Sequence, residues 1–277
     1  MCNRIDFAFL DSGTGGIPYM LELKKKSPES KCVYLGDTVH FPYGEKTFEE
    51  IVECSSSVIS TIIKKWNPRS IIIACNTISV TALDTLRKIY KDLPIVGTVP
   101  AIKLATKVSV NRKIGFLATN ASVNHKYSDK LIEDYASDCE VYKRGDPDLI
   151  SFIEHKFFVA SQEEKIAAVK PAVDYFCSLG CDTIILGCTH FTHMAKEIED
   201  YFSSKMNCKV FVVDSRDGVA NHALEILPAI KDCKESSGEL PEDMSFFVTS
   251  LNGEEDRREY ETLCRNFSIP FGGVIDC

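Results

Sequence analysis

Six stretches of this chain obey one rule: a short, β-rich apolar run gives way abruptly to Gly, Ser, Thr, Asn, Asp or Cys. They are DFAFLDSGTGG (residues 6–16), CVYLGDTVHFPYG (32–44), SIIIACNT (70–77), KIGFLATNAS (113–122), DTIILGCTH (182–190) and KVFVVDSRDG (209–218). Runs that are apolar at nearly every position mark strands buried on both faces of a parallel sheet. Between them lie stretches with helical spacing, such as EEIVECSSSVISTIIKKW, SVTALDTLRKIY and QEEKIAAVKPAVDYFCSLG. This alternation predicts an α/β fold with mainly parallel sheets. In such sheets ligands bind outside the carboxyl ends of the strands, which is where the polar residues of all six stretches fall. The pattern locates a site without choosing its chemistry.

The pattern also repeats. FLDSG and FLATN are both strand ends, and ACNT and GCTH follow them after about 65 and about 70 residues. Two α/β units built to one plan are expected, with a first domain at 1–98 plus 212–277 and a second at 99–211. The crossings are placed near residues 97–100 and 213–215. No linker is rich in Gly and Ser, so the two pseudo-symmetric domains should pack closely, with the active site in the cleft between them.

Composition adds exclusions. The 277 residues are 44% apolar and 26% charged, as in ordinary globular proteins. A net charge of −8 argues against nucleic acid or an anionic membrane as the main partner. No run of 18 apolar residues exists, so no membrane span is expected, and the opening MCNRIDFAFLDSG does not read as a signal peptide. Twelve cysteines without an export signal read as reduced thiols in a cytoplasm rather than as a disulfide framework.

Two of those cysteines stand apart. Cys75 and Cys188 each end an apolar run, each precede a hydrogen-bonding pair (Asn76 and Thr77; Thr189 and His190), and each are expected to abut a helix start. A helix N-terminus favours the thiolate, the reactive form. A single cysteine after an apolar run is most often a core residue, but a duplicated one suits a particular task. Inverting a carbon centre needs one group to remove a proton from one face and another to deliver one to the opposite face. The glycines of DSGTGG do not match a nucleotide loop, and PYG alone is an ordinary turn signal. Cys177, Cys181, Cys188, His190 and His193 invite a zinc reading, but the strand DTIIL separates the first two from the rest, so no metal is assigned. His40 and His193 read as surface or packing histidines.

The motifs DSGTGG (11–16), GDTVHFPYGEKT (36–47), ACNT (74–77), GCTH (187–190) and FVTS (247–250) occur in order over nearly the whole chain. On them the chain resembles the glutamate racemases of the cofactor-independent aspartate/glutamate racemase superfamily. The resemblance implies that Cys75 acts on the D-enantiomer and Cys188 on the L-enantiomer. It implies that Asp11 serves Cys75 and reaches the substrate amine, that His190 serves Cys188, and that Glu154 lies near that second thiol. Ser12, Tyr43, Gly44, Asn76, Thr77, Thr119 and Thr189 match positions that hold the substrate. No pyridoxal phosphate, metal or nucleotide is implied, and the product would be D-glutamate for bacterial peptidoglycan. A homodimer is left open. The chain departs from the family pattern at Phe191 and Thr192 and at Arg216 and Asp217. The alternatives are an aspartate or broad-specificity racemase, against which His190 speaks, and a non-catalytic amino-acid-binding protein on the same fold.

Overall fold

A computed structural model describes residues 4–229 and 240–277. The chain divides into two compact units, Met1–Thr98 with Arg216–Cys277, and Val99–Ser215. The first begins with β1 (Phe7–Asp11), α1 (Ile17–Lys26), β2 (Cys32–Gly36), α2 (Phe48–Trp66), β3 (Ser70–Ile73), α3 (Asn76–Ile89) and β4 (Ile95–Gly97). The second holds α4 (Ile102–Val108), β5 (Lys113–Ala118), α5 (Asn120–Val123), α6 (Lys126–Tyr135), β6 (Glu140–Gly145), α7 (Pro147–His155), α8 (Gln162–Ser178), β7 (Thr183–Leu186), α9 (Ala195–Lys205) and β8 (Phe211–Val213). The chain then returns to the first unit through α10 (Arg216–Ile226), β9 (Ser245–Val248), α11 (Glu254–Phe267) and β10 (Phe271–Val274).

Both sheets are parallel. The first has the order β10-β9-β2-β1-β3-β4 and the second β6-β5-β7-β8. The second unit runs to Ser215, past the boundary at 211 suggested by the sequence. The cause is β8, whose Phe211, Val212 and Val213 pair with Thr183, Ile184 and Ile185 of β7.

The interior strands β1, β2, β3 and β7 are buried at every position. That is the burial expected of runs covered on both faces. Helix α2 shows how a local signal becomes packing. Thr47 and Glu50 form a reciprocal capping box at its start, and Asn67 ends it in the left-handed conformation. In between, Ile51, Val58, Ile59, Ile62 and Trp66 form one stripe buried in the first unit's core with Leu10, Ile73 and Tyr43. Each such side chain contributes on the order of 1.5–3 kcal/mol when fully buried. The second unit's core gathers Ile114, Phe116, Ala118, Leu131 and Ile185. No helix among the described residues is long and apolar enough to cross a membrane.

Candidate active site

The site residues of each unit stand on a matching pair of strands. In the first, β1 and β3 lie side by side with Leu10 opposite Ile73, and the amide of Ala74 donates to the Leu10 carbonyl at 2.7 Å. In the second, β5 and β7 place Leu117 opposite Leu186, and the amide of Gly187 donates to the Leu117 carbonyl at 2.7 Å. The next residue in each case is the cysteine. Counting on from the two carbonyls makes Ser12 and Thr119 corresponding hydroxyls. Each unit thus sets a thiol and a hydroxyl at the carboxyl ends of neighbouring strands.

Around Cys75 the groups are Asp11, Ser12, Asn76 and Thr77, all buried. The Asp11 Oδ1 accepts from the backbone amide of Ser12 at 2.7 Å and from its hydroxyl at 3.4 Å. The Cys75 thiol donates to the Ser12 hydroxyl at 3.9 Å. Cys75 is the N-cap residue of the 14-residue helix α3, which begins at Asn76, three residues earlier than the apolar spacing suggests. The thiol therefore stands at the positive end of a long helix. The side chain of Asn76 is almost wholly buried, yet neither its Oδ1 nor its Nδ2 has a hydrogen-bond partner among the described residues. A buried amide left unpaired is costly, and a polar ligand beside Cys75 would relieve that cost.

Tyr43 is buried in the same core as Cys75 and donates to Asp37 Oδ2 at 2.5 Å; Gly44 follows in the same short turn and is half-buried. Burial first, and the charge and hydrogen bond of neighbouring Asp37 after it, push the phenol far above its ordinary range, so it keeps its proton. Asp37 also accepts from Thr249 at 3.0 Å and contacts His40 Nδ1 at 2.8 Å. This network ties GDTVHFPYG to FVTS. Asp37 and Thr249 are site-side residues that the motifs alone do not single out, although a carboxylate at the carboxyl end of a buried strand is a signal legible in the sequence.

The second thiol is served differently. Cys188 Sγ lies 3.7 Å from His190 Nδ1, and His190 Nε2 lies 2.7 Å from Glu154 Oε2 on α7. All three are buried. Burial opposes charge on the ring, but the hydrogen bonds and charges of Cys188 and Glu154 outweigh it and raise the imidazole well above its ordinary 6.5. A protonated ring donates at both nitrogens, one facing the Cys188 sulfur and the other the Glu154 carboxylate.

The helix start expected after Cys188 is not an α-helix. Thr189–Met194 form a 3-10 turn, and α9 begins only at Ala195. The Thr192 hydroxyl donates to the Thr189 carbonyl at 2.7 Å, and the Phe191 amide to that of Cys188 at 3.2 Å, both closing three-residue spans. A short turn has a weaker dipole than α3. His190 and Glu154 lie beside Cys188, where Cys75 has the start of α3.

Thr119 sits at the carboxyl end of β5, where it accepts from the Ser122 amide at 3.0 Å and caps α5. Thr189 is buried beside Cys188. Of the cysteines weighed for zinc, Cys181 is a core thiol that burial pushes up to about 12. Among the described residues no three His, Cys, Asp or Glu side chains group as metal ligands would. His193 packs edge-on against Phe158, and His40 is partly exposed beside Asp37.

The state of His190 is testable. Its raised value means that the linked stabilisation is present in full below pH 6.5 and is lost as pH climbs through that higher value. The difference in melting temperature between the unmodified protein and His190→Asn should therefore narrow as pH rises above 6.5. Nitrogen NMR at pH 7.5 should show an imidazolium. A neutral ring there, with a difference independent of pH, would remove the ion pair.

Residues 21–223 match the family described as Asp/Glu/Hydantoin racemase. The chain is 32% identical over 273 residues to the glutamate racemase of Treponema pallidum (strain Nichols), spanning 99% of this chain and 97% of that one. It is 36% identical over 218 residues to the glutamate racemase of Haemophilus ducreyi, spanning 78% and 80%. Among solved structures, Escherichia coli glutamate racemase in complex with L-glutamate and the activator UDP-MurNAc-ala superposes with a TM-score of 0.80. That match has 26% identity and covers 98% of this chain and 97% of the other.

Proposed function

The chain belongs to the Asp/Glu/hydantoin racemase family, and from that premise we propose that it interconverts L- and D-glutamate with Cys75 and Cys188 as the two acid/base groups. The observation that carries this reading is the equivalent placement of the two thiols after β3 and β7. One group held twice, once per unit, suits a reaction whose forward and reverse directions are mirror images.

The chemistry balances without a further reactant. One thiolate takes the proton from Cα, and the electron pair left on carbon spreads into the α-carboxylate. The other group, a thiol, gives its proton to the opposite face and becomes the thiolate that starts the return. An ordinary thiol has a pKa near 8.5, so each must be assisted. The positive start of α3 does this for Cys75, with Asp11 taking up its proton through Ser12, and His190 with Glu154 does it for Cys188. The Asn76 amide and the Thr77, Thr119 and Thr189 hydroxyls offer donors to the substrate carboxylates, where they stabilise the charge that builds up in the transition state. Tyr43 and Gly44 serve the substrate beside Cys75. A cytoplasm, where thiols stay reduced, suits this reading, and a cell wall built with D-glutamate would consume the product.

Incubation with L-glutamate in D2O tests the proposal. Deuterium should enter Cα while optical rotation decays to zero, and D-glutamate should behave as the mirror image. Aspartate and alanine should be poor substrates. Exchange absent from both glutamate enantiomers would overturn the reading, and aspartate turnover at or above that of glutamate would move the chain to the aspartate branch.

A further inference from the structure

Tyr34 belongs to none of the residues assigned above. It lies on β2, between β1 and β9 in the sheet, and is wholly buried. Its ring stacks on Phe9 at 6.4 Å and tilts against Phe246 at 5.4 Å, packing that a phenylalanine would supply equally well. The hydroxyl therefore needs its own explanation, since a buried hydroxyl is costly unless paired.

It is paired three times. The Tyr34 hydroxyl accepts from the Gly16 amide at 2.9 Å, and its single proton is shared between the Gly13 carbonyl at 2.9 Å and Asp11 Oδ2 at 3.2 Å. It thus grips Gly13 and Gly16 of DSGTGG and the carboxylate at its head. The packing leaves no slack. A Cβ on Gly16 would stand 2.5 Å from the Ala74 Cβ and 2.9 Å from the Tyr34 hydroxyl, so loop, phenol and the residue preceding Cys75 meet at one point. The other carboxylate oxygen of Asp11 is held by Ser12, whose hydroxyl accepts from the Cys75 thiol. A continuous chain runs from Tyr34 through Asp11 and Ser12 to Cys75.

We propose that Tyr34 is a positioning residue of the Cys75 half of the site, its hydroxyl fixing the Asp11 carboxylate and, through Ser12, the thiol. The proposal rests on the reading of Cys75 as an acid/base group. Tyr34 touches no reacting atom. It orients the carboxylate and, as a donor, draws off part of its charge. Without that donor, the Asp11 charge bears more heavily on Cys75, and the thiolate becomes harder to form.

Tyr34→Phe keeps the ring and removes the hydroxyl. The rate of iodoacetamide modification should be followed against pH at the Cys75 and Cys188 peptides by mass spectrometry. The Cys75 profile should move to higher pH, with its rate at pH 7.5 falling about tenfold, while Cys188 in the same sample stays unchanged. The deuterium isotope effect on turnover should rise more from D-glutamate than from L-glutamate. In an Asp11→Asn background the same change should have no further effect on Cys75. An unmoved Cys75 profile would overturn the proposal, as would an equal shift at both thiols, a Tyr34→Phe effect undiminished in Asp11→Asn, or a Tyr34→Phe chain that does not fold. If the unmodified protein fails to racemise glutamate, the functional reading falls, while the alkylation series still decides whether Tyr34 governs Cys75.

Discussion

Cys75→Ser and Cys188→Ser should each lower racemisation by about a thousandfold or more. A serine hydroxyl fills nearly the space of the thiol and keeps a hydrogen-bonding proton, so both variants should fold and melt close to the unmodified protein. What fails is proton transfer, because an alcohol is a far weaker acid than a thiol and gives no useful anion near neutrality. The two losses should not add: once either group is disabled, inversion is already blocked, and the double variant should resemble the worse single one. Each single variant should also keep the ability to exchange Cα hydrogen of one enantiomer through its remaining thiol, without inverting it. The measurement is racemisation by circular dichroism set beside Cα exchange by NMR. A folded single variant that racemises at a near-normal rate would end the two-thiol mechanism.

The second large effect concerns the two unlike helpers. Asp11→Asn removes the charge that shares Ser12 with Cys75, and His190→Asn removes the ring between Cys188 and Glu154. Each should reduce kcat by about a hundredfold or more, with smaller changes in KM. The losses should differ in kind. Asp11→Asn should slow deprotonation of D-glutamate most, and His190→Asn that of L-glutamate. Equilibrium between enantiomers cannot change, so kcat/KM must fall equally in the two directions for any one variant. The difference must be read in the deuterium isotope effects on each enantiomer. His190→Asn also strands the buried Glu154, so part of its effect should be a lower melting temperature, which Asp11→Asn need not share. Indistinguishable isotope patterns in the two variants would separate the helpers from their assigned thiols and leave the thiols themselves untouched.

The legibility of this chain followed burial. Strands β1, β2, β3, β5 and β7 could be read directly, because a run covered on both faces must be apolar throughout. The edge strands β6 and β10 could not. They are half-exposed, with sequences EVYKRG and FGGV, and one open side lifts the demand for apolar residues. Strand β8 was seen as a strand, but local pattern gave no way to tell which sheet it would join, and so the second unit was drawn four residues short.

By itself the sequence determined the α/β class and the matching positions of Cys75 and Cys188 just beyond strand ends, because these depend on periodicity and on residues adjacent in the chain. The helix after Cys75 belongs here too, although its first turn, from Asn76, precedes the apolar spacing. Tertiary structure alone decided the geometry of the groups beside each thiol. Glu154 meets His190 across 36 positions, and Tyr34 reaches Asp11 across 23. Both contacts are made only after parallel strands have set their register and helices have packed on them. The Asn76 amide, unpaired among the described residues, is likewise a property of the folded interior, for in an extended chain water would satisfy it. Hydrogen bonds between distant side chains leave no periodic trace in a sequence, so the thiols could be found there and their helpers' geometry could not.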